Sequence, residues 1–250
     1  MHYGQQKEDQ FTYTMHEEGI ERELGVLQEE KDLGVMFDPT LRFSKHVSMV
    51  ANKANRILGV MKRTFSFMDN KMLTTLYKTL VRPHVEYANC VWHPFLQSDI
   101  RTIEKVQRRA TKLTSDVKDL EYPDRLRKLK LPTLAYRRLR GDMIQVYKMV
   151  HELIGIKKEI LFTMANVETR TRGNIFKLQK ARFTIKIREN AFSNRVVNTW
   201  NKLPDEVVNA KSVNKFKSGV DSALSKYIDK YTYGLGPKWQ QGLKDQDIAS

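Results

Sequence analysis

Residues Ile100 to Leu113 read IRTIEKVQRRATKL, and two interleaved periodicities in this stretch decide the fold class. The apolar residues Ile100, Ile103, Val106, Ala110 and Leu113 recur three or four positions apart. The basic residues Arg101, Lys105, Arg108, Arg109 and Lys112 recur with the same period, out of phase with the first set. At about 100° per residue the two sets centre on opposite faces of one α-helix. One face can be buried while the other presents five cations, and only Glu104 interrupts the row. Solvated helix faces ordinarily mix charge signs. A row of one sign suits contact with a phosphate backbone.

Helical periodicity extends to both sides. Ser44 is a candidate N-cap for a helix to about Phe65, with Val47, Val50, Ala54, Ile57, Leu58 and Met61 at core spacing. Asp69 is a candidate cap for the next, which Pro83 breaks or kinks before a short apolar segment containing Tyr87, Val91 and Trp92. Pro123 suits the first turn of a short basic helix, and Pro132 precedes a longer one reaching about Leu153, with Gly155 as its stop. Upstream of residue 40, alternation predicts short strands over Phe11 to Met15, Leu24 to Leu27 and Leu33 to Phe37. Downstream, Ile175 to Leu178 and Phe183 to Ile187 are expected to form a small hairpin, followed by helices over about Ala191 to Asn201 and Ser212 to Ile228. The expected fold is therefore mainly α with small β elements (α+β). It comprises an N-terminal β-hairpin region over 1–40, a helical bundle over 41–155, a hairpin-plus-helices region over 156–230 and a loose tail over 231–250.

Composition narrows the function. The formal net charge is +15 over 250 residues. Residues 1–32 hold three basic side chains against nine acidic ones, so the positive charge lies entirely beyond them. Arg101 to Arg140 contains 13 basic and 5 acidic residues, and Arg170 to Arg188 contains seven basic residues and no acidic one. A polyphosphate partner rewards such clustering, because each neutralised phosphate releases a counterion. The alternative is a basic surface with no specific partner. The candidate backbone contacts are Arg101, Lys105, Arg108, Arg109 and Lys112, then Arg137 and Arg138, then Arg170, Arg172, Lys177, Lys180 and Arg182. Phe176 and Phe183 interleave the last group and would either stack on bases or pack in a core.

No apolar run approaches the roughly 18 residues of a membrane span. The N-terminus has neither the basic nor the apolar region of a signal peptide, so an intracellular setting, nuclear or cytoplasmic, is expected. Cys90 is the single cysteine, which excludes an internal disulfide and a four-thiolate zinc site. The sequence holds no Asp-Asp pair, no P-loop and no G-x-G-x-x-G. Cys90, His93 and His84 fall near one another, but the apolar neighbours Tyr87, Val91, Trp92 and Phe95 favour a structural cysteine over a nucleophile. His46 is expected to pack or cap, and Trp92 and Trp200 to anchor cores.

A series of strings, kept in order, resembles the reverse transcriptases of non-LTR retrotransposons of the jockey and chicken-repeat LINE types. It begins with Glu29-Glu30-Lys31-Asp32-Leu33-Gly34-Val35 and Phe37-Asp38, then Lys53-Ala54-Asn55-Arg56 and Leu80-Val81-Arg82-Pro83-His84-Val85-Glu86-Tyr87. It continues through Glu104-Lys105-Val106-Gln107-Arg108-Arg109-Ala110 and Tyr136-Arg137-Arg138-Leu139-Arg140-Gly141-Asp142-Met143 to Thr171-Arg172-Gly173, Trp200-Asn201 and Phe216-Lys217. Each string alone is weak; the ordered set is specific. The resemblance implies the thumb-side region behind the palm, a helical segment that grips a template–primer duplex of RNA and DNA. It implies further that Met1-His2-Tyr3-Gly4 ends a palm strand, that Met1 is an internal methionine or a new start, and that the Mg²⁺-binding aspartates belong to a palm upstream. No cofactor is expected in this chain, and separation from that packing partner should leave apolar surface exposed on the N-terminal strands. The functional expectation is a truncated reverse-transcriptase-like protein retaining nucleic-acid backbone binding without polymerisation. The alternatives are a retroelement relic with no selected role and a host-adopted helical protein-interaction module.

Overall fold

The structure is a computed structural model and describes residues 13–17, 19–25, 27–165 and 176–232. Two hairpins come first. Strands β1 (Thr14–Glu17) and β2 (Ile20–Glu23) pair antiparallel with Glu17 opposite Ile20. The paired strand lies four residues upstream of the stretch expected at Leu24 to Leu27, where Leu24 and Leu27 are exposed. This register puts Tyr13, Met15, Ile20 and Leu24 on one side of the hairpin. All four are 46–58 % exposed, and neither core of the protein includes them. Strands β3 (Glu30–Asp32) and β4 (Val35–Phe37) turn at Leu33-Gly34, both at positive φ as a tight hairpin turn requires. The Tyr87 hydroxyl donates to the Leu33 carbonyl (2.9 Å) and ties this turn to the helices.

Helix α1 (Ser44–Thr64) buries Val47, Val50, Ala54, Leu58 and Met61, as its periodicity predicts. Ser44 does not cap it. Its hydroxyl instead donates to Asp99 Oδ2 (2.6 Å), 55 residues downstream, while Phe43 holds the cap position in the left-handed region. Asp38 supports that bend by accepting from the Phe43 N–H (3.0 Å). Helix α2 (Asn70–Leu76) is capped by Asp69, which accepts from the Met72 N–H (2.6 Å). Pro83 then disturbs the helix as expected: the backbone widens into a π-helical turn over Tyr77–Val81 before α3 (Arg82–Glu86) resumes. Proline has no N–H and its ring crowds the carbonyl four residues back, and the wider turn relieves both. Helices α4 (Asn89–Trp92), α5 (Gln97–Ala110) and α6 (Tyr122–Leu129, with Pro123 in its first turn) follow.

Helix α7 (Leu134–Val150) begins on Thr133, whose hydroxyl accepts from the Tyr136 N–H (3.2 Å). Beyond it come α8 (Lys158–Leu161), the strand pair β5 (Thr163–Met164) and β6 (Leu178–Gln179), and helices α9 (Lys186–Asn190) and α10 (Phe192–Arg195). Helices α11 (Val197–Asn201), α12 (Asp205–Val208) and α13 (Val213–Ser225) complete the described chain. The hairpin expected between Ile175 to Leu178 and Phe183 to Ile187 does not form over its described residues. Leu178 pairs with Met164 instead, and Ile185 precedes α9. The Asn201 side chain explains the preference: it accepts from the Leu178 N–H (2.9 Å) and donates to the Leu178 carbonyl (2.8 Å). A tertiary partner that satisfies both backbone groups overrides local alternation. Ser212 caps α13 by accepting from the Lys215 N–H (3.2 Å), and Gly219 lets α12 approach closely, since a Cβ there would meet the Val207 methyls at 3.0 Å. The fold is thus mainly helical with small antiparallel strand pairs.

Two apolar cores result, and they divide within α7, upstream of the boundary expected at residue 155. One runs from Val35 to Leu134 and centres on Val47, Tyr77, Trp92 and Ile103. The other runs from Tyr136 to Ile228 and centres on Met143, Trp200 and Phe216, with Tyr147 stacked on Phe216 at 4.2 Å. Both tryptophans are core anchors as expected: the Trp92 indole donates to the Tyr87 carbonyl (2.6 Å) and that of Trp200 to the Phe176 carbonyl (2.8 Å). Ion pairs anchor α7 to elements of both cores. Arg137 forks onto Glu86, Arg140 forks onto Asp221 (2.6 and 2.9 Å), and Arg195 forks onto Asp142 (3.0 and 3.0 Å). Arg195 also donates to the Cys90 carbonyl (2.8 Å), and His93 Nδ1 lies 3.3 Å from Asp142. Burial pushes the Asp142 carboxyl up, but Arg195 and His93 outweigh it and hold it below the usual carboxylate range.

Two imidazoles are kept neutral inside this frame. His46 accepts from the Met36 N–H (3.2 Å) and meets the Trp92 ring edge-on at 5.0 Å. Burial, with Lys31 adding to it, pushes its pKa down to about 4, and burial followed by Arg195 does the same to His93. Between about pH 4 and 6.5 both imidazoles take up a proton only on unfolding, so stability rises with pH through that window. The urea midpoint should therefore fall as pH is lowered from about 7 to about 5. The double variant His46→Gln, His93→Gln should show a flatter dependence; an equal slope would refute neutral burial of these rings.

Candidate nucleic-acid interface

Helix α5 places the five basic residues much as its periodicity predicts. Ile103, Val106 and Ala110 are buried, while Arg101, Lys105, Arg109 and Lys112, just past its C-terminus, are exposed. None of these four makes an ion pair or a side-chain hydrogen bond among the described residues. Arg108 is half-buried, with its guanidinium 4.3 Å from the centre of the Tyr122 ring. Stacking of this kind steadies a guanidinium without consuming its hydrogen-bond donors.

Glu104 does not interrupt the row, because it points inward and is fully buried. It accepts from the Tyr122 hydroxyl (2.5 Å) and from the Leu134 N–H (3.1 Å), which opens α7. Gln107, one turn on, accepts from the Tyr77 hydroxyl (2.8 Å) and donates to the Pro132 carbonyl (3.0 Å). Burial raises the Glu104 pKa, while Tyr122, the Arg138 charge and the Leu134 N–H act against the rise. This buried network sets the rotation of α5 about its own axis, and that rotation turns the four cations outward.

The other candidates have different placements. Arg137 is half-buried on Glu86 and so is committed to an internal ion pair. Arg138 is 2 % exposed and cannot face a phosphate; α7 is covered on that side by α5, and the Arg138 charge acts on Glu104 and His93. Arg170 and Arg172 lie outside the described residues. Lys177 is half-buried, Lys180 holds its ammonium 5.4 Å from the Phe183 ring centre, and Arg182 is exposed. These three flank β6, which packs on the second core, whereas α5 belongs to the first. Phe176 packs against the second core, so it is a core aromatic there.

A further basic surface, on α1, was not among those expected from the sequence. That helix contains no acidic residue, and Lys53, Arg56, Lys62 and Arg63 are exposed on it without an ion pair among the described residues. The signal was available in the absence of Asp and Glu over Ser44–Thr64. Helix α1 packs directly on α5, and the Ser44–Asp99 hydrogen bond joins their N-termini.

Among the described residues no three of His, Cys, Asp and Glu come together as metal ligands. One D-x-D spacing, Asp245-Gln246-Asp247, lies outside the described residues. Cys90 is half-buried, and burial followed by the Asp142 charge pushes its thiol up, which suits a structural role. Among the described residues no helix is long and apolar enough to cross a membrane.

An uncharacterized protein of Caenorhabditis elegans, B0403.1, is 25 % identical to this chain over 126 residues. The match covers 49 % of this chain and 62 % of the worm protein. No protein-family model and no solved structure matches the chain.

The inward and outward charges of α5 should separate experimentally. Glu104→Ala leaves the buried Arg138 without its nearby carboxylate and should cost about 3–5 kcal/mol in urea unfolding. Arg109→Ala should leave the urea midpoint unchanged. A Glu104 variant as stable as the parent would show that the network does not orient the helix.

Proposed function

We propose that this chain is a reverse-transcriptase-like protein of non-LTR retrotransposon descent whose activity is binding to the backbone of an RNA/DNA template–primer duplex, without polymerisation of its own. The observation that carries the binding half is the row Arg101, Lys105, Arg109 and Lys112, exposed on one side of α5 and unpaired among the described residues. Elsewhere the exposed and half-buried arginines that bear ion pairs, such as Arg127, Arg137 and Arg140, are already neutralised by carboxylates. A cation with no internal partner keeps its full counterion atmosphere to release on meeting phosphate. The absence of a sequence-reading pattern favours recognition of the duplex backbone over recognition of bases. The polymerase ancestry rests on the ordered strings quoted above, and the non-catalytic half on the lack of an Asp-Asp turn in the sequence.

A second reading is favoured by the exposed Tyr13, Met15, Ile20 and Leu24, which share one side of β1–β2 with Glu17 and Arg22. Four large side chains in water on one hairpin are what a protein-interaction module presents. Capture of a protein partner that persists after nuclease digestion would favour that reading.

Binding of a labelled RNA/DNA duplex, followed by fluorescence anisotropy across a salt series, tests the first. The variant Lys105→Glu, Arg109→Glu should bind more weakly and lower the slope of log K against log salt by about 2. Unchanged affinity would remove α5 from the interface. Incubation with a primed template, deoxynucleotides and Mg²⁺ should give no primer extension; template-dependent extension would overturn the non-polymerising half.

A further inference from the structure

A cleft of about 420 Å³ opens between the two cores, walled by Phe37, Phe43, Phe95, Met149, Leu161 and Phe192. That volume falls in the range of about 300–1,000 Å³ typical of small-molecule sites. Its walls come from the β4–α1 connection, the α4 segment, α7 and the α8–α10 region, so both halves of the chain build it. In a chain with 29 % charged residues, no Asp, Glu, Lys or Arg among the described residues lines it. The polar lining residues are Cys90, His93, Gln145 and Asn190. Burial keeps the Cys90 thiol protonated and the His93 ring neutral at pH 7, so the walls carry no net charge there. The Asn190 amide donates to the Lys186 carbonyl (2.8 Å), and among the described residues the Gln145 amide has no hydrogen-bond partner.

We propose that this cleft binds a small, uncharged, largely hydrocarbon molecule. An ion is disfavoured because the described lining residues offer no charge to replace its hydration. A peptide segment is disfavoured because each residue brings a backbone donor and acceptor to satisfy, and the lining offers little beyond the Gln145 amide. A neutral apolar molecule leaves poorly hydrated apolar walls covered and asks for no polar match. This inference does not depend on the nucleic-acid reading, and its test is blind to it.

The probe is neutral N-phenyl-1-naphthylamine, titrated into the full chain and followed by its fluorescence. Saturable one-to-one binding is expected, unaffected by added salt, whereas duplex binding through the α5 cations falls steeply with salt. Ala191→Phe places a ring in the cleft and should weaken the probe by about tenfold or more. Val91→Trp, at a lining residue that is 46 % exposed, narrows the mouth without disturbing a core and should act in the same direction. Both variants are first checked for the parent's circular dichroism and melting behaviour. Failure of the parent to saturate would overturn the proposal, as would a folded variant that binds like the parent. Salt-sensitive binding would place the probe on a charged surface and would also overturn it.

Discussion

Everything in this structure is arranged around a 17-residue helix that has to keep its charges while lying between two apolar cores. Helix α7 buries ten residues and also carries Arg137, Arg138, Arg140 and Asp142. A charge moved out of water costs several kcal/mol unless it is matched at close range. Each of its three forked ion pairs reaches far along the chain: Glu86 is 51 residues from Arg137, Asp221 is 81 from Arg140, and Arg195 is 53 from Asp142. Apolar packing is non-directional and by itself tolerates several relative placements of the two cores. Forked carboxylate–guanidinium pairs have a fixed geometry, and they select one.

The same side-chain chemistry consequently takes two roles. Arginines whose helix face turns inward act as clamps, and their charge is spent on carboxylates. Arg101 and Arg109 on α5, and Arg56 and Arg63 on α1, turn outward and bear no ion pair among the described residues. Glu104 decides which is which on α5: by burying its carboxylate against Tyr122 and the start of α7, it withdraws the one negative charge from the outer row. A purely aliphatic residue there would leave the N–H of Leu134 without that partner.

Legibility from the sequence followed the range of the interactions. Helices with local signals were readable: the Asp69 cap, a helix starting near Ser212, Pro123 in a first turn, the start of α7 just past Pro132, and the 3.6-residue periods of α1 and α5. Ser44 was misread as a cap because Asp99, invisible to any local window, takes its hydroxyl. The C-terminal hairpin failed for the same reason, since Asn201 decides where Leu178 pairs. Short α12 has no periodicity long enough to recognise. On α5, the exposed basic row was legible from charge and period together. Arg137 and Arg138 were not distinguishable from it, because inward and outward arginines look alike until their carboxylates are located. The cleft was beyond reach, with walls drawn from residues as distant as Phe37 and Phe192.

The Asp142–Arg195 clamp also sets a timetable for synthesis. Arg195 leaves the ribosome 53 residues after Asp142, which at about 5–20 residues per second is a delay of roughly 3–10 seconds. Over that interval the first core already has every one of its buried members, from Val35 to Leu134. The second gains only Phe162 and Leu178 beside its α7 members, with Trp200 and Phe216 still to come. A nascent chain paused there holds an uncovered apolar strip and an uncompensated carboxylate side by side on one helix, which is the form of this protein a chaperone would meet first.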